Sequence, residues 1–163
     1  MKYMFLDIET YCERDLKECG VYPYAADPSF EILLLGYSFD GSEVSVIDLA
    51  QGEKLPKDVL DAITSPNVIK IAHNALFERV CLSSYLRMPV GTYLPPEQWR
   101  CSMVASAYLG LPLSLDMLST VLNLKNAKMK EGKELIRYFC LPCKPTKSNG
   151  MRTRNKPQDS PEK

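Results

Sequence analysis

A chain of 163 residues, 45% apolar and 25% charged, is long enough for one domain with a sizeable core and is too apolar for a disordered one. Lys+Arg and Asp+Glu balance at 20 each, but from position 141 onward six basic residues face only two acidic ones, so a mildly acidic body carries a basic tail. No run approaches the ~20 apolar residues of a membrane helix, and Met1 leads into a strand pattern, not a charged leader, which reads as a cytoplasmic protein.

The pattern predicts a strand over 2–8 and a buried central strand over 32–39, Ile32-Leu-Leu-Leu-Gly-Tyr-Ser-Phe39. A third strand, 44–49, follows Asp40-Gly41, a strong hairpin turn signal. A helix over 57–63 opens behind Pro56, and a strand over 68–72 comes next. Helical patterns then take over: 74–86, a Pro95-Pro96 loop, 97–109, 115–122 with Ser114 as N-cap, and 130–139. Trp99, Met103 and Tyr108 recur at helical spacing and read as core. From 141 to 163 four prolines and little apolar content predict a loop or a disordered tail. The domain reading is therefore a folded unit over 1–140 followed by a basic, Pro-rich segment.

Two constellations carry chemistry. At the end of the first strand, Asp7 and Glu9 project to one face while Leu6 and Ile8 face the core, because side chains two apart share a side. Two carboxylates about 7 Å apart along a strand suit hard divalent cations, as two-metal phosphodiester hydrolysis requires. In 71–79, Ile-Ala-His-Asn-Ala-Leu-Phe-Glu-Arg, a strand end leads into a helix with Asn74, Phe77 and Glu78 on one face. Glu78 then reaches the same site from a neighbouring element, and Asn74 either caps the helix or hydrogen-bonds a nucleotide.

These residues together resemble the first two motifs of the DEDD (DnaQ-like) 3′ to 5′ exonucleases, Asp-x-Glu and Asn-x-x-(Phe/Tyr)-Asp, with Glu78 at the final acidic position. That departure is similar to the branch attached to phage-type family A DNA polymerases. Three further stretches look like the same branch: 11–28 with its Cys-Gly-Val-Tyr-x-Tyr run, Glu97-Gln98-Trp99-Arg100-Cys101, and Lys144-Pro145-Thr146-Lys147. The resemblance implies a ribonuclease H-like fold, a mixed sheet flanked by helices. It implies two Mg²⁺ or Mn²⁺ ions held by Asp7, Glu9 and Glu78, with Phe77 packed beneath, and a single-stranded DNA 3′ end as substrate. Thr10, Asn74, Phe77, Lys144, Lys147, Arg152 and Arg154 become candidate nucleic-acid contacts, the last four as a basic stripe along the backbone.

A third motif, Tyr-x-x-x-Asp or His-x-x-x-x-Asp, has no match. Asp159 has Asn155 four residues earlier, and Asp116 has no Tyr at the required offset. The expectation is a fold incomplete at its C-terminus, with weak or no nuclease activity, exposed apolar surface and self-association, and a polymerase domain as a downstream partner. The alternatives are a non-catalytic nucleic-acid-binding module and a ribonuclease D-like RNA exonuclease. The six cysteines read as reduced thiols, the Cys140-x-x-Cys143 pair has no second pair to complete a zinc site, and His73 reads as structural.

Overall fold

The computed structural model describes residues 2–124 and 130–159. Strand β1 runs Tyr3–Tyr11 and pairs antiparallel with β2, Glu31–Phe39, which in turn pairs antiparallel with β3, Ser45–Asp48. Strand β4, Ile69–Ala72, lies parallel to β1 on its other side, and β5, Trp99–Cys101, lies parallel to β4. The sheet order is β3-β2-β1-β4-β5. The β2–β3 turn behaves as its sequence demands. Asp40 and Gly41 have φ of 51° and 78°, the left-handed pair that fits the twist of a tight hairpin. The Asp40 carboxylate also accepts from the Lys2 and Tyr3 amides at 2.9 and 2.8 Å, tying the turn to the start of β1.

Helices α1 (Leu16–Cys19) and α2 (Val21–Ala25) fill the β1–β2 connection, two short elements that sequence periodicity does not register. Helices α3 (Lys57–Thr64), α4 (Leu76–Tyr85), α5 (Ser102–Tyr108), α6 (Leu115–Val121) and α7 (Lys130–Phe139) complete the chain. The main core joins Met4, Leu6 and Ile8 of β1 and Leu35 of β2 to Val59 and Ile63 of α3, Val80 and Leu82 of α4, and Trp99. Burial of such side chains is the main stabilising contribution, about 1.5–3 kcal/mol each. A second, smaller core of Tyr11, Leu33 and Cys140 sits with Ile136 and Phe139 of α7 packed on it.

Three expectations need correction. Residues 97–109 are not one helix: a 3-10 turn at Pro96–Gln98 leads into β5, and α5 starts only at Ser102. Three residues are too few to show strand alternation, and the neighbouring helical spacing masks them. The change of element also breaks the supposed stripe, so Trp99 is in the core while Tyr108 is 89% exposed. Ser114 does occupy the N-cap position of α6, but its side chain makes no capping bond.

The segment after α7 is a loop folded back on the body over its described residues. Thr146 and Asn149 form a reciprocal capping box around a 3-10 turn, and the Cys143 amide donates to the Thr153 carbonyl at 2.8 Å. Asn155 is buried and donates to the Tyr138 carbonyl. Residues 160–163 lie outside the described residues. Among the described residues no helix is long and apolar enough to cross a membrane, and all the cysteines are free thiols.

Candidate active site

The burial pattern of β1 alternates as its sequence requires: Leu6 and Ile8 are buried, Asp7 is exposed and Glu9 half-buried on the opposite face. The register sets Gly36 of β2 beside Asp7, so no neighbouring side chain covers the carboxylate from that strand. Asp7 opens onto a cavity of about 520 Å³ lined also by Phe5, Ile71, His73, Ser102 and Leu115. Directly beyond Glu9 the β1–β2 register shifts, leaving Leu33 as an extra residue between the partners of Glu9 and Thr10. Such bulges re-aim side chains. Glu9, itself still in register with Leu34, opens onto a second cavity, about 360 Å³, beneath α7, lined by Leu34, Ile136, Phe139 and Cys140 among others.

Glu78 comes to this region from the first turn of α4. It is only 3% exposed, and its Oε2 has no hydrogen-bond partner among the described residues. Burial pushes its carboxyl from 4.5 up to about 8, and the charge of Asp7 and the Cys101 thiol push the same way. A buried carboxylate beside another acid has nothing to compensate its charge. The structure thus brings Glu78 within the field of Asp7. Glu9 lines the other cavity, and among the described residues no three His, Cys, Asp or Glu side chains are grouped closely enough to hold an ion.

The donor chemistry still fits a divalent cation. Asp7 and Glu78 supply hard carboxylate oxygens, one of them buried without a partner, and a cation is the species that would relieve both the burial and the mutual repulsion. The remaining candidates separate sharply. Asn74 is not on the helix: it precedes α4 with φ 69°, a conformation Asn tolerates best after Gly, and it is exposed, its carbonyl accepting from the Phe77 amide at 2.8 Å. Phe77 is half-buried against the main core. The Thr10 hydroxyl is buried and shares a 2.9 Å bond with the Tyr24 hydroxyl, turned away from solvent.

Lys144 and Lys147 are exposed. Arg152 is held by Asn155, the Tyr138 hydroxyl and Asp159. Arg154 is committed inward: it pairs with Glu31 at 2.5 Å and lies over the Tyr11 ring at 4.0 Å. Of the four basic candidates, only the two lysines present free surface charge in this arrangement.

Three neighbours of the site meet their partners only through tertiary folding, which sequence spacing does not show. Cys140 Sγ lies 3.8 Å from Glu9 Oε2, across 131 positions, and its thiol is pushed up to about 12 by burial and then by the Glu9 charge. Burial raises Cys101 too, but the amides of Val104, Ala75, Asn74 and Met103 together outweigh it and hold the thiol below its usual value. His73 bridges elements: Nε2 meets the Leu113 carbonyl at 2.8 Å and must donate to it, while Nδ1 meets the Ser102 hydroxyl at 2.9 Å. It is structural, as its position suggests.

No protein-family model matches the chain. It is 52% identical over all 163 residues to a DNA polymerase of Bacillus phage SP02, of which it spans 24%, about a quarter of that relative's length. Among solved structures, Brucella melitensis NrnC superposes with a TM-score of 0.55 at 19% identity, over 79% of this chain and 55% of that one. NrnC has also been solved bound to pGG and with bound Mg²⁺. Escherichia coli RNase D, an exoribonuclease involved in structured RNA processing, gives a TM-score of 0.50 at 19% identity, over 82% of this chain and 30% of that one. The fold is ribonuclease H-like. The mixed five-stranded sheet flanked by helices is the part of the expectation that these likenesses support directly.

Proposed function

We propose that this chain carries a metal-dependent 3′ to 5′ exonuclease domain of the kind found in phage-type family A DNA polymerases, acting on single-stranded DNA 3′ ends. The observation that carries the reading is the Asp7–Glu78 carboxylate pair, with Asp7 lining an open cavity and Glu78 buried within its field, one oxygen left unpartnered among the described residues. The similarity of the whole chain to a quarter of a phage DNA polymerase, and the Mg²⁺-bound and pGG-bound forms of NrnC, support the same substrate class.

In this reading Asp7 and Glu78 hold Mg²⁺ or Mn²⁺, and Glu9 contributes from the adjoining cavity. The chemistry supplied by the bound ions is activation of the attacking water and neutralisation of charge on the leaving oxygen. Phe77 forms the apolar support under the pair, and Lys144 and Lys147 meet backbone phosphates. Asn74, exposed at the strand–helix junction, meets a nucleotide in this reading. Three carboxylates are one fewer than the four-acid set of the exonucleases this chain resembles, so turnover by this chain alone is slow.

The test is digestion of 5′-labelled single-stranded DNA with Mg²⁺ or Mn²⁺. Slow release of mononucleotides, lost in Asp7→Ala and Glu78→Ala, is the expected result. Metal-independent cleavage, or cleavage untouched by Asp7→Ala, would refute it, and binding without any cleavage would mark a non-catalytic module. The likeness to RNase D favours one second reading, an RNA exonuclease, which a matched RNA substrate degraded faster than DNA would establish.

A further inference from the structure

Glu9 is a proposed ligand whose carboxylate is touched by a side chain from outside the sheet and α4. Cys140, at the C-terminal end of α7 and 9% exposed, reaches Glu9 Oε2 with its sulfur at 3.8 Å. That placement is fixed from several sides. Tyr11 and Leu33 surround the thiol in the second core. The chain just before it is tied down where Asn155 donates to the Tyr138 carbonyl at 3.0 Å and Arg152 to the Tyr138 hydroxyl at 3.3 Å. The same loop is anchored to the sheet by Arg154, paired with Glu31 and stacked on Tyr11.

We infer that Cys140 is a positioning residue for Glu9: its thiol donates to Oε2 and so selects the rotamer in which the carboxylate meets a ligand. The inference rests on the reading of Glu9 as a metal ligand. A carboxylate on a flexible side chain has many rotamers, and a partner that selects one lowers the ordering cost of ion binding. A thiol is a weak donor, yet Cys140 is itself buried, so little water competes for its proton. It also brings no charge of its own. The competing explanation is packing alone, since buried cysteine behaves as a small hydrophobe, and the two accounts diverge on substitution. Serine keeps a donor of similar size at a cost in burial, whereas alanine keeps the apolar surface and removes the donor.

The experiment compares the full chain with Cys140→Ser and Cys140→Ala, by Mn²⁺ titration and by thermal melting without metal. It adds the infrared S–H stretching band of Cys140, taken as the difference between the chain and Cys140→Ser. We expect Cys140→Ala to weaken Mn²⁺ binding by about five- to ten-fold, as loss of a ligand-orienting partner does, with Cys140→Ser close to the unsubstituted chain. We expect the S–H band to shift to higher frequency in Glu9→Ala. Equal Mn²⁺ affinity in all three chains, or equal losses in the Ser and Ala variants, overturns the inference. An unshifted band beside intact, Asp7-dependent Mn²⁺ binding overturns the role of Cys140 alone. Absence of Asp7-dependent Mn²⁺ binding in the unsubstituted chain overturns the metal reading, and this role with it.

Discussion

Replacing Glu78 by Gln tests the site without any assay of cleavage. The folded chain holds this carboxyl's proton up to about pH 8, the unfolded chain only to its ordinary 4.5. The folded pKa is raised, so the associated stability is present in full below about pH 4.5 and is lost as pH climbs to about 8. The difference corresponds to about 5 kcal/mol at the extreme, from about 1.4 kcal/mol per tenfold change in proton affinity. Gln cannot ionise, so Glu78→Gln and the unsubstituted chain melt together near pH 4.5 and diverge above it, the variant being more stable at pH 8. For a domain of this size 1 kcal/mol moves Tm by about 2–4 °C, so a separation of about 10 °C or more is expected without metal. Mn²⁺ narrows the gap: it raises the Tm of the unsubstituted chain, more at pH 8 than at pH 6 because the ion displaces a proton, and leaves the Gln variant nearly unmoved. Melting curves followed by far-ultraviolet circular dichroism from pH 5 to 8.5 supply the data. Parallel pH dependence of the two chains would refute both the burial argument and the cation site built on it.

Lys144→Ala with Lys147→Ala lowers the slope of log affinity for single-stranded DNA against log salt by about 1.4, two phosphate contacts at about 0.7 each; fluorescence anisotropy over a salt series measures it, and an unchanged slope refutes the assignment. Arg154→Ala leaves that slope alone but destabilises the fold by about 1–2 kcal/mol through loss of the Tyr11 stacking and the Glu31 pair, and it opens the loop after α7 to proteolysis; a changed slope with unchanged urea denaturation would reverse these roles. The exposed apolar residues Val104, Tyr108, Leu109, Met117 and Val121 on and beside α5 and α6 favour self-association, so light scattering should show oligomers that Tyr108→Ser with Met117→Ser reduces, and a monodisperse monomer at high concentration argues against it.

What the sequence made legible was whatever depends on local spacing. Asp7 and Glu9 alternate with Leu6 and Ile8, and the strand places them accordingly; Asp40-Gly41 demands a left-handed pair, and the chain provides it. The helical turn that carries Glu78 was readable for the same reason. Where two periods overlapped within a few residues, local spacing misled. Trp99 and Tyr108 fit one helical stripe on paper, yet the three-residue strand between them resets the phase and leaves Tyr108 in solvent. The basic tail misled differently, because charge alone does not say whether an arginine meets a phosphate or a carboxylate of its own chain. Arg154 is the case in point: only the folded sheet shows that Glu31 and Tyr11 claim it.

What surrounds each acid of the first motif is likewise decided by tertiary packing. Two carboxylates two residues apart share a face in a regular strand, and the sequence contains no mark of the extra residue, Leu33, that the partner strand inserts directly beyond Glu9. Beyond that shift Tyr11 is buried in the second core, while Glu9, still in register with Leu34, meets Cys140. Thr10, a candidate nucleic-acid contact, turns to Tyr24 instead of the site. Asp7 and Glu9 thus border different cavities although they leave β1 on one face, and the loop after α7, through its hold on Tyr138 and Tyr11, sets the environment of Glu9.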